Sequence, residues 1–356
     1  MTRSLALFAA LWTVAFSSCA HPAALETGNW KLTANAPALH RFEAVEPHMG
    51  TLVKITLYSD SEDAAQAAFR AAFARIGELD ATLSDYKDDS ELNRLPRIAV
   101  GRPTPVSHDL WTVLHAAQQI ARASDGALDV TLGPVTRLWR EARRRGRLPV
   151  ASELRAAASR SGYRKLHLDD ARRTASLDQP GMALDLGALA KGYAASEALA
   201  ALRHRGVGSA LVAVSGDLAC GDAPPGSRGW RVAIHDAGAN DRRIPAVVEL
   251  ANVAVSTAGA EEQHLDAGHR RYSHIVDPAS GMGITEDITV TVIAATGLEA
   301  DALDTTVSVL GVERGLALIE SQPDAAALIA KRTPAGIALL PSRRLAARLS
   351  PPGTPR

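Results

Sequence analysis

With 356 residues, 46% of them apolar, the chain is long enough to bury a sizeable core in one large domain or two ordinary ones. Its 39 basic and 39 acidic side chains cancel, which excludes the basic excess of a nucleic-acid-binding protein and the charge block of an acidic solvating tail. Two cysteines exclude a disulfide scaffold and a Cys-rich zinc site, and one long apolar stretch, at the N-terminus, excludes a polytopic membrane protein.

Residues 1–19 read MTRSLALFAALWTVAFSSC. Arg3 supplies a charged start, and Leu5 to Phe16 an apolar run of signal-peptide length rather than membrane-span length. The closing Ser17-Ser18-Cys19 resembles a bacterial lipoprotein processing site, at which Cys19 becomes the lipidated first residue. Cleavage nearby by the ordinary signal peptidase is the alternative, and both readings mean export. Residues 20–40 lack sustained periodicity and read as a tether. No repeat or linker interrupts residues 41–345, and the Pro-rich residues 346–356 read as a tail without regular structure.

Within 41–345, strands and helices alternate. Met49 to Tyr58 reads as a strand with Val53, Ile55 and Leu57 on one face. Ser59 with Glu62 reads as the capping box of a helix whose Ala65, Phe69, Phe73 and Ile76 share a face. A second amphipathic helix runs from Ser107 to Ala123 and stops at Asp125-Gly126. Met182 to Asp185 reads as a short strand feeding a helix through Tyr193, Ala194 and Leu199. Leu211 to Val214, Trp230 to Ile234, Val247 to Val255 and Ile288 to Ala294 read as strands, and Leu298 to Leu310 as a helix. The expected fold is mixed α/β of the α+β kind: a single large domain with mixed or antiparallel sheets and flanking helices. The arginine-rich run Arg137 to Arg147 reads as a solvated helix face, with lipid head groups or an acidic partner as the other readings.

Five segments carry polar chemistry. Asp185 to Gly192 is a small-residue turn into a helix, where unpaired N–H groups and Lys191 suit a phosphate; taken alone, tight packing is the commoner meaning of such a helix start. In the helix capped by Thr296 and Glu299, Asp301 and Thr305 stand four apart, so that both offer hard oxygens to Mg2+; Asp304 beside them reads as easily as plain surface. His274, ahead of Asp277-Pro278, is a candidate general base. Ser215-Gly216-Asp217 and Ser124 to Pro134 read as polar-cornered turns. Walker, HExxH, GxSxG and paired CxxC patterns are absent.

Taken in order, these segments resemble the ApbE family of flavin transferases, which move FMN from FAD onto a protein side chain. The resemblance runs through Met49-Gly50-Thr51, Leu83 to Leu92, Gly126 to Thr131, Asp185 to Gly192, Ser215 to Asp217, His274 to Pro278 and Glu299 to Thr305. It implies FAD contacts at Met49, Tyr86, Ala127, Leu128, Asp129, Asp185, Lys191 and Ile275. It implies Mg2+ ligands at Asp301, Thr305 and the main-chain carbonyl of Ala188, with Asp301 and His274 as catalytic residues. The implied acceptors are exported or membrane redox proteins carrying a Thr or Ser, with AMP as the leaving product. The chain departs from the family pattern at Ser215, where Gly is usual, at Ala258, where Ser is usual, and at Ser273, which replaces the first of two histidines. An FAD pyrophosphatase and a non-catalytic FAD-binding lipoprotein are the alternatives.

Overall fold

The computed structural model describes residues 38–234, 246–259 and 263–349. The signal-peptide reading, the tether up to residue 37 and the tail from 350 lie outside the described residues.

Strand β1 (His40–His48) pairs with β2 (Thr51–Ser59) around Met49-Gly50. The sequence did not announce β1. It is an edge strand whose partly buried Phe42 and Ala44 alternate with charged residues, so it lacks a continuous apolar signature. Helix α1 (Glu62–Leu83) follows, and its cap is Ser61, not Ser59: Ser61 Oγ accepts from the Ala64 N–H at 3.4 Å, while Ser59 stays in β2 opposite His40. Next come α2 (Glu91–Ile98), β3 (Thr104–Pro105), α3 (His108–Ala123), α4 (Gly133–Arg145) and α5 (Ala151–Ala158). Then follow β4 (Leu166–Asp169), β5 (Thr174–Leu177), α6 (Ala190–His204), β6 (Ala210–Val214) and β7 (Asp217–Cys220). Met182 to Asp185 is not a strand. Only Ala183 bridges, to Leu132, because the partner chain turns at once into α4; a Cβ at Gly133 would meet the Ala183 backbone at 2.7 Å.

The rest comprises β8 (Trp230–Ile234), β9 (Ala246–Leu250), β10 (Val253–Gly259), β11 (His264–Ala267), β12 (Arg270–Ser273) and β13 (Ile288–Ala294). It closes with α7 (Gly297–Ser321), β14 (Ala326–Thr333), β15 (Gly336–Pro341) and α8 (Arg343–Leu349). The single strand expected over Val247 to Val255 is two strands in different sheets. Asn252, at φ 55, turns the chain between them, a conformation that Asn tolerates better than most residues. Helix α7 runs past Leu310 through a break in helical geometry at Gly311, and α8 continues beyond residue 345.

The strands assemble an eight-stranded sheet in the order β1-β2-β6-β7-β10-β13-β14-β15, antiparallel throughout. One face carries α1 and α6 over β2 and β6. Ala65, Ala68, Ala195 and Ala198 are fully buried there, and such small side chains let the two helices approach the sheet and each other. Helix α7 covers β13 and β14 on the same terms. The β8–β9 ribbon and α8 pack on the other face through Trp230, Ile234 and Leu345. With both faces covered, every residue of β13 is buried, so it reads as an unbroken apolar run. The observed architecture is the mixed α/β domain with antiparallel sheets that the pattern implies. It brings the starts of α6 and α7 together beside the β6–β7 turn.

Candidate functional site

A cleft of about 960 Å³ opens where the loop after α1, one face of α4, the turns at 127–132 and 185–190, the β6–β7 turn, β10 and the first turns of α7 converge. All the residues singled out in the sequence line it: Met49, Tyr86, Ala127, Leu128, Asp129, Asp185, Ala188, Lys191, His274, Ile275, Asp301 and Thr305. They come from six separate stretches of chain, so their convergence is a property of the fold and not of local spacing.

The floor is acidic. Asp217, Asp301 and Asp304 each present a carboxylate oxygen within 4.8 Å of the others, and all three are buried. Asp304, which the sequence left as possible surface, is only 2% exposed. The β6–β7 hairpin delivers Asp217, and the capped start of α7 delivers the other two. Lys191 Nζ lies 2.7 Å from Asp217 Oδ2 and 3.6 Å from Asp301 Oδ2. Burial works against the Lys191 charge, but Asp301 and Asp217 outweigh it and hold its pKa above the ordinary lysine value. The ammonium thus neutralises carboxylates, where the sequence reading had it free for phosphate. The Gly192 N–H donates to Asp301 Oδ2 at 3.0 Å, which ties the Ala188-to-Lys191 turn to α7.

Ser256, in β10, sits between two of these acids. Its Oγ contacts Asp217 Oδ1 and lies 2.5 Å from Asp304 Oδ2. A hydroxyl has one proton to give, so one of the two contacts lacks a donor unless a carboxyl is protonated. Burial, then Asp217, pushes Asp301 up to about 7; burial, then Asp301, drives Asp304 well above its usual range. Asp304 Oδ1 is buried with no hydrogen-bond partner. Three carboxylates against one ammonium, with an orphaned oxygen, form the donor set that a hard divalent cation satisfies. The residues present therefore fit Mg2+, with Asp217 and Asp304 joining the Asp301 expected from sequence. Thr305 and Ala188 line the same cleft as this cluster.

The remaining wall is built from α4 and the loops facing it. Arg140 bridges Asp85 and Asp185, at 2.8 Å from Asp185 Oδ2, and stacks its guanidinium 4.5 Å from the Tyr86 ring centre. Tyr86 is 75% exposed, so its other face is open to the cleft. Asp185 also accepts from the Gly187 N–H, shaping the turn before α6. Asp129 is held by the Thr131 N–H and hydroxyl at 2.8 and 2.6 Å. His274 places Nδ1 3.2 Å from the Gln263 carbonyl, an acceptor only, so the neutral ring carries its proton on Nδ1 and keeps Nε2 basic. Burial lowers its pKa to about 4.

Sequence reading missed Asp217 as a site acid, although Ser215-Gly216-Asp217 was visible as a polar turn. It missed Ser256 outright, gave no role to Asp85 inside the Leu83-to-Leu92 segment, and missed Arg140 inside the supposed solvated run; a lone Ser in a strand or Arg in a basic helix gives no positional signal. Two of the three departures have local explanations, and Ala258 has none in the structure. Ser273 is buried and its Oγ accepts from the Ile275 N–H at 3.2 Å, shaping the loop that carries His274. Ser215 stands at φ 57, first in a two-residue hairpin turn where glycine is favoured. Ser215→Gly is therefore expected to stabilise the protein by up to about 1 kcal/mol, relief of left-handed strain exceeding the added chain entropy; a denaturant midpoint below wild type would contradict this.

Comparison with known proteins places this architecture. The family model described as the ApbE family matches residues 49–329. A curated FAD:protein FMN transferase of Klebsiella pneumoniae (strain 342) is 31% identical over 288 residues, covering 80% of this chain and 82% of its own length. One from Treponema pallidum (strain Nichols) is 32% identical over 305 residues, covering 82% and 84%. Among solved structures, the flavin transferase ApbE from Vibrio cholerae matches with a TM-score of 0.78 at 29% identity, covering 87% of this chain and 100% of that one. The Pseudomonas stutzeri flavinyl transferase ApbE, apo form, gives 0.76 at 31%, covering 87% and 97%.

Proposed function

This chain belongs to the ApbE family, and from that premise we propose that it is a Mg2+-dependent FAD:protein FMN transferase. It joins FMN through a phosphoester to a threonine or serine of an exported or membrane redox protein and releases AMP. The observation that carries the proposal is the buried Asp217, Asp301 and Asp304 cluster, with its orphaned Asp304 oxygen, on the floor of a cleft large enough for a dinucleotide.

In the reaction, the acceptor hydroxyl oxygen forms a bond to the FMN-side phosphorus of FAD, the bond from that phosphorus to the bridging oxygen breaks, and AMP leaves with the electron pair. Asp217, Asp301 and Asp304 would hold a divalent cation, which would supply charge neutralisation to the diphosphate. Lys191 keeps the cluster from repelling itself apart and holds Asp217 in place. His274 Nε2 accepts the hydroxyl proton, with Nδ1 anchored on the Gln263 carbonyl. Tyr86, backed by Arg140, offers an aromatic face to a ring of the dinucleotide. Residues 1–19 direct the chain out of the cytoplasm, with Cys19 as lipid anchor facing the periplasm; among the described residues no helix is long and apolar enough to cross a membrane.

Co-expression with an exported FMN-domain protein, followed by intact-mass analysis, tests the reading. The expected product carries one added FMN, and an acceptor of unchanged mass, with FAD split to FMN and AMP in its absence, would overturn it in favour of hydrolysis.

The His274 pKa sets the pH behaviour. The neutral ring is the base, and a folded-state value of about 4 keeps it neutral from alkaline pH down to mildly acidic pH. At saturating Mg2+, which keeps the raised Asp301 and Asp304 carboxyls ionised, transfer is expected to hold steady on acidification until the pH approaches that value, and then to fall. At limiting Mg2+ it falls earlier, as those carboxyls take up protons. Because the unfolded chain takes this proton at 6.5 and the folded chain only near 4, stability drops as pH falls through that interval. A base with so low a pKa is weak, so His274→Ala should lower the rate by about 10²-fold, the small end of general-base effects. Single-turnover rates across pH check both expectations.

A further inference from the structure

Helix α4 was legible only as a basic run, but its arginines are not equivalent. Arg140 is clamped between Asp85 and Asp185. Arg144 and Arg145 pair with Glu141, and Arg137 reaches Asn93 Oδ1 at 3.4 Å. Arg143 differs. It lines the cleft, is partly buried, and makes no side-chain hydrogen bond or ion pair among the described residues. Burial first, and then the like charge of Arg140, depress its pKa. A guanidinium has five N–H donors, and leaving them unmatched in a partly desolvated wall beside another cation is costly unless something anionic arrives.

Its place in the cleft is also informative. Arg143 lies three residues after Arg140 on the same helix face, and its charge is felt by His274. It therefore lines the same cleft as Tyr86 and the base that receives the acceptor's proton, within electrostatic reach of both. We infer that Arg143 is a substrate-contacting residue whose guanidinium holds an anionic oxygen pair, either a phosphate of the dinucleotide or a carboxylate of the acceptor. A planar fork of donors matches both groups, and a residue kept only for packing would be neutralised as Arg140 is. This inference rests on the transferase reading.

The test measures FAD affinity by flavin fluorescence, with Mg2+ and no acceptor, and separately the KM for a purified FMN-domain acceptor. The variants are Arg143→Gln and Arg143→Lys, with Arg144→Gln as the exposed control. Loss of a charge-assisted hydrogen bond predicts a change of about tenfold or more in one of the two constants. Weaker FAD binding identifies the dinucleotide as the source, and a raised acceptor KM with unchanged FAD affinity identifies the acceptor. Arg143→Lys retains part of the effect, Arg144→Gln shows none, and the melting temperature of Arg143→Gln does not fall, since no native pairing is lost. FAD affinity and acceptor KM both within twofold of wild type in Arg143→Gln would overturn the inference. If the wild-type protein binds FAD but loads no acceptor, the transferase reading fails instead, and the FAD arm alone decides for or against Arg143.

Discussion

Asp301→Ala is expected to lower FMN transfer by about 10³-fold or more, the order associated with losing several kcal/mol of transition-state charge stabilisation. The carboxylate is 3% exposed, accepts the Gly192 N–H, and stands within reach of Asp217, Asp304 and Lys191. Without it the cluster keeps two acids against one ammonium, too little to hold a divalent ion firmly. The effect on stability is small by comparison, because two changes oppose each other. One buried N–H loses its acceptor, a cost of about 1–3 kcal/mol, while two crowded carboxylates lose a repelling neighbour. The discriminating measurement is the rise in melting temperature on adding Mg2+, which reports ion binding by mass action. Wild type should show it and Asp301→Ala should not. An acceptor loaded as fully by the variant as by wild type would remove the metal from the mechanism.

The site's legibility followed the physics of each residue. Asp301 and Thr305 could be paired from sequence because helical spacing alone puts residues four apart on one face. Their neighbour Asp304 was ambiguous for the same reason: it points a different way round the helix, and only the packing of β10 and the β6–β7 turn against α7 makes that direction buried. Ser256 and Asp217 join through strand pairing between β7 and β10, a long-range register that no local pattern encodes. Lys191 stands out in the sequence as a candidate site cation, but its partners lie on β7 and α7, far along the chain. The fold divides the same way. Helices α1 and α3 and strands β2, β6, β8 and β13 are marked by periodicity and caps, whereas β1, an edge strand with a thin apolar face, and the split of β9 from β10 at Asn252 depend on what packs above them.

Gly192→Ala should disable the protein through geometry alone. A Cβ at Gly192 would lie 2.0 Å from the Gly297 carbonyl oxygen and 2.8 Å from Asp301 Cβ; one at Gly297 would lie 2.0 Å from the Gly192 oxygen. The two helix starts therefore touch backbone to backbone, and the Ser196 hydroxyl accepts from the Gly297 N–H at 2.8 Å to lock the crossing. Backbone cannot rotate aside as a flexible side chain can, so one methyl group must force α6 and α7 apart. That displacement breaks the Gly192–Asp301 hydrogen bond and draws Asp301, Asp304 and Thr305 away from Asp217. Overpacking of this kind is expected to cost about 3 kcal/mol or more, a fall of roughly 5 °C or more in melting temperature for a domain this size. Gly77→Ala is the control. Gly77 lies inside α1 with open space around its missing Cβ, so the same methyl group should be neutral or stabilise by about 0.5–1 kcal/mol. Transfer measured on the folded fraction separates the two consequences, because Gly192→Ala should be inactive even where it is folded. Wild-type melting and activity in Gly192→Ala would mean that the helix starts stand further apart than the backbone contact requires, and the acidic cluster would lose its geometric basis.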